Sequence, residues 1–254
     1  MFSLLFFPLL IIASVSATNT KKFDLKITWQ DYAPDGFSRK MLLVNGQSPG
    51  PVLEIDQDDK VIVKVHNESP NELTIHYHGN TPLSIQHSSM SNKSIGLEMK
   101  GTPWSDGVPG VTQHPIKPGH SFTYKFTATQ YGSFWYHSHF RGQIEDGLYG
   151  AIIIHPRKDE PNPFHLISED THAIAKAVKE VKPIVISDFV HLTSAEKWDM
   201  TVAAGIEDSC YDSILFNGKG RVECLGKDVV AENLNEIQKT YLALVPGAEF
   251  TDKS

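Results

Sequence analysis

Residues 131–139 read Tyr-Gly-Ser-Phe-Trp-Tyr-His-Ser-His. Side chains alternate across a strand, so Phe134, Tyr136 and Ser138 fall on one face and Trp135, His137 and His139 on the other. A second segment repeats the arrangement. Leu73, Ile75 and Tyr77 take one face, and His76 and His78 share the opposite one, about 6.5–7 Å apart along the strand. Each segment therefore predicts a strand that buries an apolar face and presents two imidazoles on the other.

Other strands follow on both sides of these two. Phe23, Leu25, Ile27 and Trp29 alternate with Asp24, Lys26 and Thr28; Val61, Val63 and Val65 do the same, as do Phe122, Tyr124 and Phe126, and Ala151 to Ile154 is wholly apolar. Turn signals separate them at Asn45-Gly46, Ser48-Pro-Gly-Pro51, Pro109-Gly110 and Pro118-Gly119. Many short strands punctuated in this way predict a β-sandwich over residues 20–156. Pro156 to Pro163 reads as a linker. Ser168 to Val181 reads as a helix, capped by Ser168, with Ala173, Ile174, Ala177, Val178 and Val181 on one face. Strand character returns at Ile184–Ile186 and Ile214–Phe216, with a turn at Asn217-Gly218. Val230, Leu234, Ile237 and Tyr241 mark a second amphipathic helix, and Leu242–Val245 a further strand.

Composition narrows the function. The 254 residues carry 23 Lys+Arg against 30 Asp+Glu, a net charge of −7, which argues against a nucleic-acid partner. Two Cys exclude a disulfide-dense scaffold or a thiolate metal cluster. Met1 to Ala13 is an apolar run too short to span a bilayer, and Val15-Ser16-Ala17 has the form of a cleavage site, so residues 1–17 read as a secretory signal peptide. No later stretch is apolar enough to span a membrane. The mature protein is expected to be secreted, in the cell wall or in secretory vesicles, where Cys210 and Cys224 can be oxidised. Asn67-Glu-Ser and Asn92-Lys-Ser are glycosylation sequons, the first followed by Pro70.

The twelve His are the anomaly. Four of them in two His-x-His pairs, without a thiolate, suit copper, zinc, iron or nickel, and spacing alone does not choose among these. The other eight match no ligand pattern and read as structural or solvated. Trp104 and Trp135 read as packing residues.

Several segments occur in order: Val44-Asn-Gly-Gln-Ser-Pro-Gly-Pro51, His76-Tyr-His-Gly79, Gly101-Thr-Pro-Trp-Ser-Asp-Gly107, Thr112-Gln113, Tyr131 to His139, and Asp146-Gly-Leu148. In this set the chain resembles the multicopper oxidases. Residues 157–254 look most like the laccase-like enzymes of fungal conidial pigment (melanin) formation. The resemblance implies a mostly β protein: a cupredoxin-like Greek-key sandwich over residues 18–156, a linker and helix over 157–182, and an incomplete second cupredoxin-like domain with short helices over 183–254. It implies copper, with O₂ reduced to water by four electrons drawn from a phenolic or naphtholic substrate. In such a trinuclear cluster His76 would bind the type 2 copper, His78 and His137 one type 3 copper, and His139 the other. Asp106 matches a carboxylate that relays protons to the cluster; its residue-level alternative is a turn Asp stabilising the loop before Gly107.

Two departures qualify this. The substrate-side type 1 copper needs a Cys flanked by His, whereas Cys210 lies in Ser-Cys-Tyr and Cys224 in Glu-Cys-Leu. That site and the remaining cluster His are absent, so the chain is expected to be an N-terminal fragment or truncated product, inactive without the missing C-terminal domain. Secondly, Asn80 to Gly96 intervenes where the family passes almost directly into Leu97, as an insertion or translated intron. The competing readings are a non-catalytic copper-binding module, a ferroxidase, and a cupin. A cupin would add a Glu shortly after its pair, whereas Gly79-Asn-Thr-Pro82 follows here.

Overall fold

A computed structural model describes residues 19–79, 96–160, 163–205, 211–221, 232–236 and 239. Eight strands build two four-stranded sheets. The first has the order β2 (Arg39–Val44), β1 (Thr20–Tyr32), β4 (Lys60–Asn67), β6 (Ser121–Thr127). The second has the order β3 (Gly50–Asp56), β8 (Tyr149–His155), β7 (Gly132–His137), β5 (His76–His78). β1 runs parallel to β4 and β3 parallel to β8; the other neighbours are antiparallel. Because successive strands cross between sheets, the inward-facing alternate residues of both meet in one core. Leu25, Ile27, Val61, Val63, Val65, Tyr124 and Phe126 face Leu53, Ile55, Ile75, Tyr77, Phe134, Tyr136, Ile152 and Ile154 in a single buried cluster.

The alternation read at Leu73, Ile75 and Tyr77 is present, since all three are fully buried. The ladder itself is shorter, covering only His76–His78, with Leu73 held by a lone bridge to Ile116. Across the sandwich Tyr124 Oη accepts from Ile75 N–H at 2.9 Å, fixing the approach to His76.

Beyond β8, Arg157 pairs with Asp58 and Glu160, so the start of the expected linker is tied to the β3–β4 turn. Helix α1 spans Thr171–Glu180. Its cap is Asp170, whose side chain accepts from Ala173 N–H at 2.9 Å; Ser168, expected as the cap, instead accepts from Asp170 N–H. No residue of α1 is buried. β9 (Ile186–Phe189) and β10 (Ser213–Phe216) pair antiparallel. Between them lies α2 (Ser194–Ala204), which the sequence reading did not contain. Phe189 and Leu215 pack on Met41 and Leu43 of β2.

The structure decides the first sequon and corrects one packing reading. Asn67 is buried, and its amide nitrogen donates to Asn71 O and Ile116 O, so it is no glycan acceptor in the folded chain. Trp104 is half exposed rather than packed. The signal segment, Asn92, Cys210 and Cys224, most of the insertion, and most of the second amphipathic helix lie outside the described residues. Among the described residues no helix is long and apolar enough to cross a membrane.

Candidate metal centre

β5 and β7 set the two His pairs side by side at the sheet edge. His76 is the direct cross-strand partner of His137, and His78 of Trp135. His139 lies two residues past the end of β7. The ring of His76 is 5.8 Å from that of His78, 5.4 Å from His137 and 5.2 Å from His139, centroid to centroid. His137 is 5.8 Å from His78 and 6.1 Å from His139. The four imidazoles form one wall.

Their orientations come from the groups behind them. His76 Nδ1–H donates to the Asp106 carbonyl at 2.6 Å, which leaves the Nε2 lone pair facing away from the loop. His137 Nδ1–H donates to Ser138 O at 2.8 Å. Its Nε2 is buried and has no hydrogen-bond partner. Burial pushes the His137 pKa down to about 4; the bond to Ser138 opposes this and the rings of His76, His78 and His139 reinforce it. Burial, with His76 and His139, also lowers that of His78. These two rings are thus held in the neutral, lone-pair-bearing form that metal binding needs. Trp135 does more than pack: its Nε1–H donates to His78 Nδ1 at 3.2 Å, and its indole lies 4.2 Å from the His137 ring.

Asp106 acts here first through its backbone. It ends the 3₁₀ turn Pro103–Ser105, whose buried Ser105 accepts from Lys125 N–H on β6. Gly107 follows at φ +81°, where any Cβ would collide with the Ile75 carbonyl, so the Asp-Gly step lets the loop lie against the strand at His76. The Asp106 carboxylate is partly exposed, 3.5 Å from His76 Nδ1. The segment after the insertion returns to the same edge: Gly96 bridges His78, and Leu97 N–H donates to Tyr77 O.

Among the described residues, no three His, Cys, Asp or Glu side chains group around a single ion. That fits rings spaced over 5 Å apart, each able to serve a different ion. An orphaned, neutral, buried imidazole nitrogen in an all-imidazole donor set suits copper well. A cavity of about 590 Å³ lies elsewhere, between β7–β8 and residues 183–190; Trp135 lines it, but none of the four His does.

A two-sheet Greek-key sandwich with this imidazole wall at one edge places the chain among the cupredoxin-like proteins. A multicopper oxidase family model matches residues 26–87 and 84–159, more than half of the chain, and the chain belongs to that family. The two matched segments meet inside the stretch that the sequence marks as an insertion. Laccase 1 of Metarhizium acridum is 41% identical over 254 residues, covering 96% of this chain and 38% of the relative. Multicopper oxidase MCE of Talaromyces pinophilus is 42% identical over 237 residues, covering 92% of this chain and 36% of the relative. The crystal structure of laccase from Botrytis aclada superposes with a TM-score of 0.60 at 31% identity, covering 84% of this chain and 34% of that one. The chain thus spans well under half the length of these proteins. Family membership makes copper the implied metal.

Proposed function

We propose that this chain is the portion of a laccase-like oxidase that supplies half of a trinuclear copper site, through His76, His78, His137 and His139. The observation that carries this is the buried, unpartnered Nε2 of His137 beside three further imidazoles. Bound copper would supply one-electron redox chemistry and the four-electron reduction of O₂ to water, at the expense of a phenolic or naphtholic substrate. The chain's own residues orient and shelter the ligands: Asp106 O and Ser138 O fix two tautomers, and Trp135 covers His78 and His137. Asp106, its partly exposed carboxylate 3.5 Å from His76 Nδ1, would serve as the proton relay. The type 1 copper and the other half of the cluster would come from further sequence, so the 254-residue chain alone is expected to take up no oxygen with a diphenol. Secretion through residues 1–17, with processing after Ala17, belongs to the same proposal and is checked by the mature N-terminus.

The test is copper stoichiometry. His76→Ala and His137→Ala should each lower Cu²⁺ bound per chain while the near-UV circular dichroism of the sandwich persists. Unchanged stoichiometry in both variants refutes the ligand assignment. In a full-length protein, oxygen uptake on a diphenol against uptake on Fe²⁺ separates the laccase reading from a ferroxidase. Metal bound without turnover on either would leave a non-catalytic copper module.

A further inference from the structure

The ladder between β5 and β7 stops at the His76–His137 pair. His139 lies beyond it, yet its ring is 5.2 Å from His76. Something other than sheet pairing must hold the end of the second pair against the first.

One buried side chain spans this gap. Gln143 is 5% exposed, and Ser138, between the two histidines, is 3% exposed. Ser138 Oγ–H donates to Gln143 Oε1 at 2.7 Å. Gln143 Nε2–H donates to the Glu72 carbonyl at 2.7 Å, at the start of the segment leading to His76 and His78. Ser138 Oγ in turn accepts from Phe140 N–H at 3.2 Å, so the turn after His139 is fastened to the same hydroxyl. Backbone bonds close the loop: Ser138 N–H to Leu148 O, and Leu148 N–H to Gln143 O. A carboxamide is the group this position needs, because it accepts on one side and donates on the other. A carboxylate would face the Glu72 carbonyl without a proton, and an apolar side chain would leave the hydroxyl and the carbonyl unpaired in a buried place.

We propose that Gln143 is a positioning residue for the metal centre: it ties the His137-Ser-His139 loop to the strand of His76 and His78 and so sets the separation of the two pairs. It touches no ligand nitrogen and acts through Ser138. The proposal rests on the metal reading above only where copper is concerned; the geometric part stands without metal. Outer residues that orient ligands typically change metal affinity about 10- to 100-fold when removed.

The experiment uses the full 254-residue chain and two variants, Gln143→Leu and Ser138→Ala, with the double variant. Without metal, ring-proton NOEs are read between His76 and His139 and between His76 and His137. The expected result is that both single variants lose the His76–His139 NOE and keep the His76–His137 NOE, which the ladder maintains. Titrated with Cu²⁺ alone, each variant should bind about 10- to 100-fold more weakly, and the double variant no more weakly than the worse single one, because both residues serve one link. Both NOEs surviving in Gln143→Leu would overturn the proposal, as would both disappearing together, which marks a general packing role. Ser138→Ala keeps the test open if Gln143→Leu does not fold. Should His76→Ala also leave Cu²⁺ affinity untouched, the metal reading fails, and the NOE pair alone decides the role of Gln143.

Discussion

The sandwich and the segment that follows it are held by different forces. Inside the sandwich, one continuous cluster of buried apolar side chains runs from Leu25 to Ile154. The β9–β10 unit meets the sandwich through a small cluster of four buried apolar residues, Met41, Leu43, Phe189 and Leu215, with Tyr32 against it. It also meets it through polar and aromatic contacts such as Tyr149 Oη with Ser187 Oγ, Lys197 with Glu145 and Phe37 stacked on His191, among which two polar clasps are the most deeply buried. In the first clasp, Asp35, its side chain fully buried, accepts from His191 Nε2–H at 2.9 Å, Ser213 Oγ–H at 2.7 Å and Phe37 N–H at 3.0 Å. In the second, Asp146 accepts from Arg39 at 3.3 Å, from Ser194 N–H at 2.8 Å and from Ser194 Oγ–H at 2.5 Å. Apolar burial is non-directional, and its loss on substitution scales with the volume removed. A buried charge is directional: removing one partner strands the other. The attachment of the second unit should therefore be sensitive to the chemistry of single polar residues, whereas the sandwich should be sensitive to the volume of its core side chains.

The sharpest way to break this contrast is Asp146→Ala. Arg39, 6% exposed, would keep its charge in a buried site, and the first turn of α2 would lose its anchor. The expected cost is about 3–5 kcal/mol in urea unfolding, with protease cleavage appearing first within residues 190–205. The double variant Arg39→Met/Asp146→Leu should recover most of that loss, apart from the part due to Ser194. A cost below about 1 kcal/mol for Asp146→Ala would mean that the unit is held without this clasp.

The same contrast governs what was legible in the sequence. β1, β4, β6 and β7 stood out because one face of each is buried and the other wetter, which leaves a period of two. β2 did not, because Leu42 and Val44 face the main core while Met41 and Leu43 face Phe189 and Leu215, so the alternation disappears. α1 showed an apolar stripe, but none of it is buried. α2 carries its punctuation in plain view, a capping box from Thr193 to Glu196 and Gly205 in the left-handed region at its end. It lacks an apolar stripe between them; Lys197 is its one buried residue. Spacing alone brought out the four His, since each pair is local. The pairing of Asp35 with His191, 156 residues apart, has no local signature. Nor did periodicity hint that Asp106 would orient His76 through its carbonyl.

A smaller effect sharpens the comparison through pH. Burial on its own would raise the Asp35 pKa, but the hydrogen bonds from His191, Ser213 and Phe37 N–H outweigh it and hold the carboxyl below its ordinary 3.8. The titratable groups facing this clasp are His191 and Asp212, the latter 3.7 Å from His191 Nδ1. A carboxyl depressed in the folded state binds fewer protons there than when unfolded. Its stabilisation is therefore complete above about pH 4 and is lost as pH falls through the folded value. Asp35→Asn should cost about 1.5–3 kcal/mol at pH 6, and the gap between its unfolding midpoint and the wild type's should narrow as pH falls below the ordinary carboxyl value of 3.8. A gap that stays constant over that range would show that the clasp works by shape and not by charge.

The smallest effect belongs to α1, which neither force reaches. Its N-cap, Asp170, is exposed and accepts only from Ala173 N–H. Asp170→Ala should lower helix stability by about 1 kcal/mol, read as faster amide exchange over residues 171–180. Because no side chain of α1 is buried, the loss has no packing route into the sandwich. The unfolding midpoint of the sandwich and the ring NOEs at the His wall should stay where they are. Coupled movement of either would mean that α1 bears on the site through contacts its exposed surface does not reveal.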